Sequence, residues 1–401
     1  MRRFCILIAV LMLSACGSTS SLLPPVKITP IDNPLRVDLE WHRTIGGGVG
    51  EHFVKISPVF HNGVGYAADL RGLVRAFDSR TGQTRWEKQL DVFITGGLSI
   101  VDEMLIIGTY EGEVLTLNLN SGDVIWKTKV SSEVLSPAQG ENHIIVVRSV
   151  DGKVHALESS AGKLLWTHSR SVPLLTLRGT STPAVDNGIV VVGMDSGKLT
   201  ALTLQSGTVL WETPITIAKG RSELERLVDI DVNPVIMKDV VYAVSYQGRI
   251  AAVQLDSGKI LWVREFSAYS GMAIDAYRIY ISDAESNLWA LNRFNGSTLW
   301  KQDKLLRRSI TAPVLKDRHL VVADYNGYVH WLQRDDGKLV ARKRVKSIDF
   351  LFVDEDQIRE DEKLFPKNNN VLVTPAAENN SILVLDRLGH LEAYLLNTES
   401  R

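Results

Sequence analysis

Only two of the 401 residues are cysteines, Cys5 and Cys16, and both lie at the extreme N-terminus. The rest of the chain therefore has no thiol pair for a disulfide, a CxxC redox centre or a cysteine metal site. A dominant charge sign is also missing: 45 Lys and Arg stand against 46 Asp and Glu, a net charge of -1, so no basic field exists to hold nucleic acid. The nine histidines, among them His42, His52, His143, His155 and His330, show neither HExxH nor paired-ligand spacing. No GxSxG elbow is present. The run Gly46-Gly47-Gly48-Val49-Gly50 lacks the GxGxxG frame and reads as a flexible connecting loop rather than a phosphate cradle. Disorder is excluded by 45% hydrophobic and 23% charged residues, which suffice for a large core.

At the N-terminus, Met1-Arg2-Arg3 precedes an apolar run from Phe4 to Leu13, and Leu13-Ser14-Ala15-Cys16 closes it with small residues. The run is far short of the roughly 20 residues that cross a bilayer, so residues 1–15 read as an export signal. The ending resembles a bacterial lipobox, which implies lipidation of Cys16 as the first mature residue. Gly17 rather than Asp follows it, which in such lipoproteins favours the outer membrane. Residues 16–34, with Pro24, Pro25, Pro30 and Pro34, read as a lipidated start and semi-extended tether.

What the chain does have is a repeat. "DSRTGQTRW" returns as "NLNSGDVIW", "ESSAGKLLW", "TLQSGTVLW", "QLDSGKILW" and "NRFNGSTLW", ending at Trp86, Trp126, Trp166, Trp211, Trp262 and Trp300. A seventh copy, "QRDDGKLVA", puts Ala341 in the tryptophan position. The turn glycines, Gly82, Gly122, Gly162, Gly207, Gly258, Gly296 and Gly337, are spaced by 40, 40, 45, 51, 38 and 41 residues. A second motif, G-x-apolar-x-x-apolar, begins at Gly72, Gly112, Gly152, Gly197, Gly248, Ser286, Gly327 and Gly389, which makes eight copies. Its period-2 alternation marks half-buried strands.

Four short strands per roughly 40 residues is the pattern of propeller blades. The expected fold is thus all-β: an eight-bladed β-propeller of four-stranded antiparallel blades over residues 35–401. The eighth unit ends without a fourth strand, and Trp41 lies 45 residues before Trp86, one period upstream. An N-terminal strand carrying Trp41 is therefore expected to complete the C-terminal blade and close the ring. The seven tryptophans then become structural, each packing against a neighbouring blade.

The turn motif resembles the tryptophan-docking motif of quinoprotein dehydrogenases, propellers that carry pyrroloquinoline quinone. Those enzymes also use calcium-binding carboxylates and amides and, in many members, a vicinal disulfide that this chain cannot form. Periplasmic quinoprotein-like dehydrogenase, or a propeller binding carbohydrate or peptide in its channel, is accordingly the alternative reading. Function is expected instead where the rhythm lengthens, in "RSVPLLTLRGTSTP" (170–183) and "TPITIAKGRSELERLVDIDVNP" (213–234). Both join the outer strand of one blade to the inner strand of the next, so they should share one face. Leu174, Leu175 and Leu177 beside Arg178, and Leu224 and Leu227 before Asp229 and Asp231, suit a polar-rimmed protein interface. Two acids alone are a weak metal set.

With "GVGEHFVKISP", "LTLRGTSTPA", "ERLVDIDVNPV" and "GYVHWLQRDDGKLVA", the mature chain resembles the outer-membrane assembly lipoproteins of the BamB family. That resemblance implies a non-enzymatic scaffold of the β-barrel assembly machinery at the periplasmic face of the outer membrane. It further implies no cofactor beyond a lipid on Cys16, and binding to the POTRA domains of BamA beside other Bam complex subunits. Unfolded outer-membrane proteins are a further candidate partner. The contact residues it implies are Leu175, Leu177, Arg178, Asp229 and Asp231. An acidic stretch at 349–367 is longer than the family leads one to expect and reads as a solvated loop or a species-specific contact.

Overall fold

The structure is a computed structural model that describes residues 23–52, 54–169, 181–216, 228–345, 371 and 373–397. Within them the chain forms eight four-stranded antiparallel sheets, and in seven of these the strands run in chain order from the innermost outward. The seven span residues 59–89, 94–129, 139–168, 184–214, 235–266, 272–302 and 314–344, here blades 1 to 7. Blade 8 takes three strands from residues 376–397 and its outer strand from Arg36–Thr44, which pairs antiparallel with His390–Asn397 from Arg36 opposite Asn397 to Thr44 opposite His390. This is the closure expected from the position of Trp41.

Burial follows from position in the blade. Second strands such as Ile144–Arg148 are buried throughout, because both faces of the sheet meet neighbouring blades. Fourth strands such as Thr84–Gln89 alternate exposed with half-buried residues at the rim. Four antiparallel strands also sort the connections. Turns between first and second and between third and fourth strands share one face, here the hairpin face, and the links between blades lie on the other, the connector face.

Each repeat tryptophan lies on the turn glycine of the next blade: Trp41 on Gly82, Trp86 on Gly122, Trp126 on Gly162, Trp166 on Gly207, Trp211 on Gly258, Trp262 on Gly296 and Trp300 on Gly337. A Cβ on any of these glycines would stand 2.4 to 2.7 Å from an atom of the ring. Six of the indoles also donate to the carbonyl three residues before that glycine, from Trp86 Nε1 to Leu119 O at 2.8 Å round to Trp300 Nε1 to Arg334 O at 3.0 Å. Trp41 Nε1, at the closing joint, is buried without an acceptor among the described residues.

The structure explains Ala341. Opposite each repeat tryptophan in the sheet sits a small residue, as in Ala76 opposite Trp86 and Ala393 opposite Trp41. In blade 7 the pair is exchanged, with Trp331 on the third strand and Ala341 on the fourth, both fully buried. In blade 8 the third and fourth strands, His390–Asn397 and Arg36–Thr44, come from separate parts of the chain with no repeat turn between them, so among the described residues a tryptophan at 341 would have no turn glycine to cover. Trp331 points its bulk at Tyr394 of blade 8 instead, with ring centroids 6.2 Å apart.

One expectation needs correction. The Gly46–Gly50 run is not a flexible loop but a pinned turn. Val49 N and Gly50 N donate to Arg387 O at 2.9 and 3.0 Å, and Arg387 Nε returns a bond to Gly50 O at 2.5 Å. Gly48 adopts φ +62° with Arg387 O only 2.3 Å from where its Cβ would be, so no other residue fits. Gly46, against Asp69, and Gly48, against Arg387, serve close approach across the blade 8 to blade 1 joint, a role that counting a phosphate motif could not reveal.

Candidate functional site

The two long connectors leave and return at the connector face, one from blade 3 to blade 4 and the other from blade 4 to blade 5. Their returning stems are hydrogen-bonded to each other: Thr182 N donates to Asn233 Oδ1 at 2.8 Å and Ser181 Oγ to Val232 O at 3.5 Å. The second stem is wedged deep in the ring, with Val228, Asp229, Ile230 and Val232 all buried. Ile230 sits where a Cβ on Gly193 would be, 2.5 Å from its Cγ2, so the glycine makes room for the stem. Tyr246 N donates to Asp229 O at 3.0 Å, fixing the stem on blade 5, and at the departing end of the same connector Thr216 Oγ1 meets Ser245 Oγ at 2.6 Å.

Of the residues expected to carry binding, the structure describes two. Asp229 is 1% exposed, inside the stem, whereas Asp231 is half-buried and turned toward the axis of the ring. Leu175, Leu177, Arg178 and Cys16 lie outside the described residues, as do Leu174, Leu224, Leu227 and the acidic stretch at 349–367.

Asp231 opens onto a cavity of about 290 Å3 where all eight blades converge at the axial channel. Its polar lining includes Lys55, Ser57, Thr95, Thr182, Asp231 and Asn233. Thr95 is already engaged with Val134 O at 2.8 Å, and Asn233 with the stem. Lys55 stands in the channel, reached by water yet ringed by protein. That crowding lowers the pKa of its amine, against a smaller upward pull from the Asp231 carboxylate. No cluster of three His, Cys, Asp or Glu that could hold a metal occurs among the described residues.

Two further features escaped the sequence reading. One is a staple two residues beyond the tryptophan, where Arg43, Thr128, Thr213, Arg264 and Gln302 each donate a side-chain bond to the carbonyl of the next blade's turn glycine at 2.7 to 2.8 Å. Five residues of three chemistries share the task, so no motif betrays it. The other is a set of buried ion pairs near the connector face: Arg148 with Asp195 at 2.5 Å, and Arg308 with Asp324 at 2.6 Å. Each of these four side chains is at most 7% exposed.

Comparison with known proteins agrees with this architecture. Residues 70–302, more than half of the chain, match the family model described as "Outer membrane protein assembly factor BamB". The protein of that name from Salmonella typhimurium strain LT2 is 38% identical over 358 residues, covering 86% of this chain and 91% of the relative. The one from Pseudomonas aeruginosa is 37% identical over 343 residues, covering 85% and 90%. Among solved structures, BamB from Moraxella catarrhalis superposes with a TM-score of 0.76 at 24% identity, over 90% of this chain and all of that one. Quinohemoprotein alcohol dehydrogenase from Comamonas testosteroni shares the fold at a TM-score of 0.68 with 10% identity, covering 91% and 77%. The chain belongs to the family of the outer membrane protein assembly factor BamB.

Proposed function

We propose that this protein is a scaffold in outer-membrane protein assembly that performs no reaction itself. It is held by a lipid on Cys16 at the periplasmic face of the outer membrane, and its connector face docks on the POTRA domains of BamA within the Bam complex. The observation that carries this reading is the pair of hydrogen-bonded stems from Thr182 to Asn233 and from Ser181 to Val232. Two lengthened connectors from adjacent blades are thus tied together at their returning ends, next to the segments that hold "PLLTLRG" and the residues before Asp229. In this reading Leu175, Leu177 and Arg178 supply apolar and cationic contacts, Asp231 adds charge at the mouth of the axial channel, and Asp229 holds the stem from within.

The named relatives are assembly factors, and the dehydrogenase likeness is one of fold alone. Binding is tested by co-purification with BamA of the double variant Leu177→Glu, Arg178→Glu and, separately, of Asp231→Lys. Recovery should fall at least tenfold for the double variant, about 1.4 kcal/mol or more of binding, while thermal unfolding stays that of the parent. Undiminished recovery would reject the interface. Asp229 is unsuited to such a test, because a charge reversed at 1% exposure attacks the fold first.

A further inference from the structure

The segment ahead of the first strand is extended, as its prolines require, but it does not hang free. Val26 N donates to Leu306 O at 3.1 Å, Arg307 Nε to Pro24 O at 2.8 Å, Arg308 Nη1 to Val26 O at 3.1 Å, Arg342 Nη1 to Thr29 O at 2.9 Å, and Leu35 N to Val340 O at 2.8 Å. Ile31 packs on the cluster of Leu305, Ile310, Leu332 and Leu339, and Leu35 on that of Trp331, Val340 and Tyr394. The covering shows in exposure. The apolar pair before the tryptophan position is open on the rim of blade 5, with Ile260 and Leu261 at 37% and 49%, whereas Leu339 and Val340 of blade 7 are at 6% and 7%.

Two of the three guanidiniums that grip the segment, those of Arg308 and Arg342, are themselves fixed from inside the protein. Asp324 Oδ2 accepts from Arg308 Nε at 2.6 Å and from His330 Nε2 at 2.9 Å, and His330 Nδ1 accepts from Arg342 Nε at 3.2 Å. Asp324 and His330 are fully buried. Each arginine thus keeps its Nε inside the relay and offers Nη1 to a backbone carbonyl of the segment, a built grip rather than a chance contact.

The direction of the segment follows from these contacts. Leu35 meets blade 7 near its third-to-fourth-strand hairpin, while Pro24 and Val26 meet the connector between blades 6 and 7. The chain therefore leaves the propeller at the connector-face rim. From Leu23 back to Cys16 is seven residues, which span at most about 25 Å when fully extended. The rim there carries Lys27, Lys304 and Arg307, with Asp303 and Glu285 as the nearby acids, and Leu23 is 68% exposed.

We infer that residues 23–35 are a strap locked onto blades 6 and 7, and that it makes the connector-face rim beside Leu306 and Arg307 the part of the propeller apposed to a phospholipid surface. This rests on the lipidation of Cys16 proposed above. Basic side chains beside a short acylated leader suit an anionic leaflet, and a strap fixed along its length denies the propeller the free tumbling that a loose linker would allow.

The test uses the full lipidated chain in vesicles of phosphatidylethanolamine and phosphatidylglycerol that contain a nitroxide-labelled lipid. A fluorophore is placed on a single cysteine introduced at Lys304, on the connector-face rim, or at Asn120, in a hairpin-face turn of blade 2. Quenching should be several-fold stronger at 304 than at 120, and Ile31→Asn, which frees the strap without touching the relay, should bring the two together. Equal quenching in the unaltered chain, or stronger quenching at 120, would overturn the strap's orienting role. The mass of the mature chain and its flotation with the vesicles separate the two readings. A chain without acyl mass sinks the lipid anchor and this inference with it, whereas an acylated, floating chain with equal quenching sinks only the inference.

Discussion

At the residue scale the tryptophans do different work despite their common motif. Trp126 buries its ring on Gly162 and donates to Ser159 O at 2.7 Å, whereas Trp41 makes the same stacking contact with no acceptor for Nε1 among the described residues. Trp126→Phe should therefore cost about 1–3 kcal/mol by orphaning a buried carbonyl, and Trp41→Phe distinctly less. Urea unfolding of the two variants decides the matter, and equal losses would mean that stacking alone carries the joint. Ala341→Trp makes the complementary point. It sets two indoles opposite each other in one sheet, so overpacking should destabilise by about 1–3 kcal/mol. The turn and its tryptophan were legible in the sequence because one geometry recurs seven times in nearly one spelling. The staple two residues on was not, since a carbonyl asks only for a donor and Arg, Thr and Gln all supply one.

At the scale of elements, the relay of Arg308, Asp324, His330 and Arg342 joins a connector, two strands and the strap. Asp324→Ala would leave Arg308 buried without its carboxylate and should cost about 3–5 kcal/mol in chemical unfolding. Titration should expose the same relay. The pKa of His330 is lowered first by burial and further by the cations Arg342 and Arg308, against the pull of Asp324. The face of the Tyr328 ring, which has Arg308 and Arg344 over it, completes its surroundings. A histidine held neutral in the fold contributes stability that is present above its ordinary pKa of 6.5 and is lost as pH falls below it, because the unfolded chain then binds the proton more readily. A proton on Nδ1 would also displace the Arg342 bond. The protection factor of the Val26 amide, its exchange corrected for the intrinsic dependence on pH, should accordingly fall between pH 7 and pH 5, and fall less in His330→Gln. A flat pH response would remove histidine from the grip. None of this was readable beforehand, because Pro-rich segments carry no periodicity and the relay assembles residues from 308 to 342 only in space.

For the molecule as a whole, the ring is closed by hydrogen bonds between strands from opposite ends of the chain. Deleting residues 36–44 should expose the edge of His390–Asn397 and uncover Gly82. Loss of the single cooperative unfolding transition in calorimetry would register the open ring, and an unchanged transition would mean that closure is dispensable. Blade number, strand order and closure all followed from spacing, whereas the two lengthened connectors were visible only as interruptions and the channel's Lys55 and Asp231 not at all as a facing pair. Closure by a terminal strand has a mechanical side. In a lipid-anchored chain, tension from the membrane enters at residue 23 and would, with a loose leader, peel Arg36–Thr44 away from its partner one bond at a time. With Val26, Thr29 and Leu35 fastened to blades 6 and 7, the load is grounded in two other blades before it reaches the seam, so the strand that completes the ring bears none of the pull.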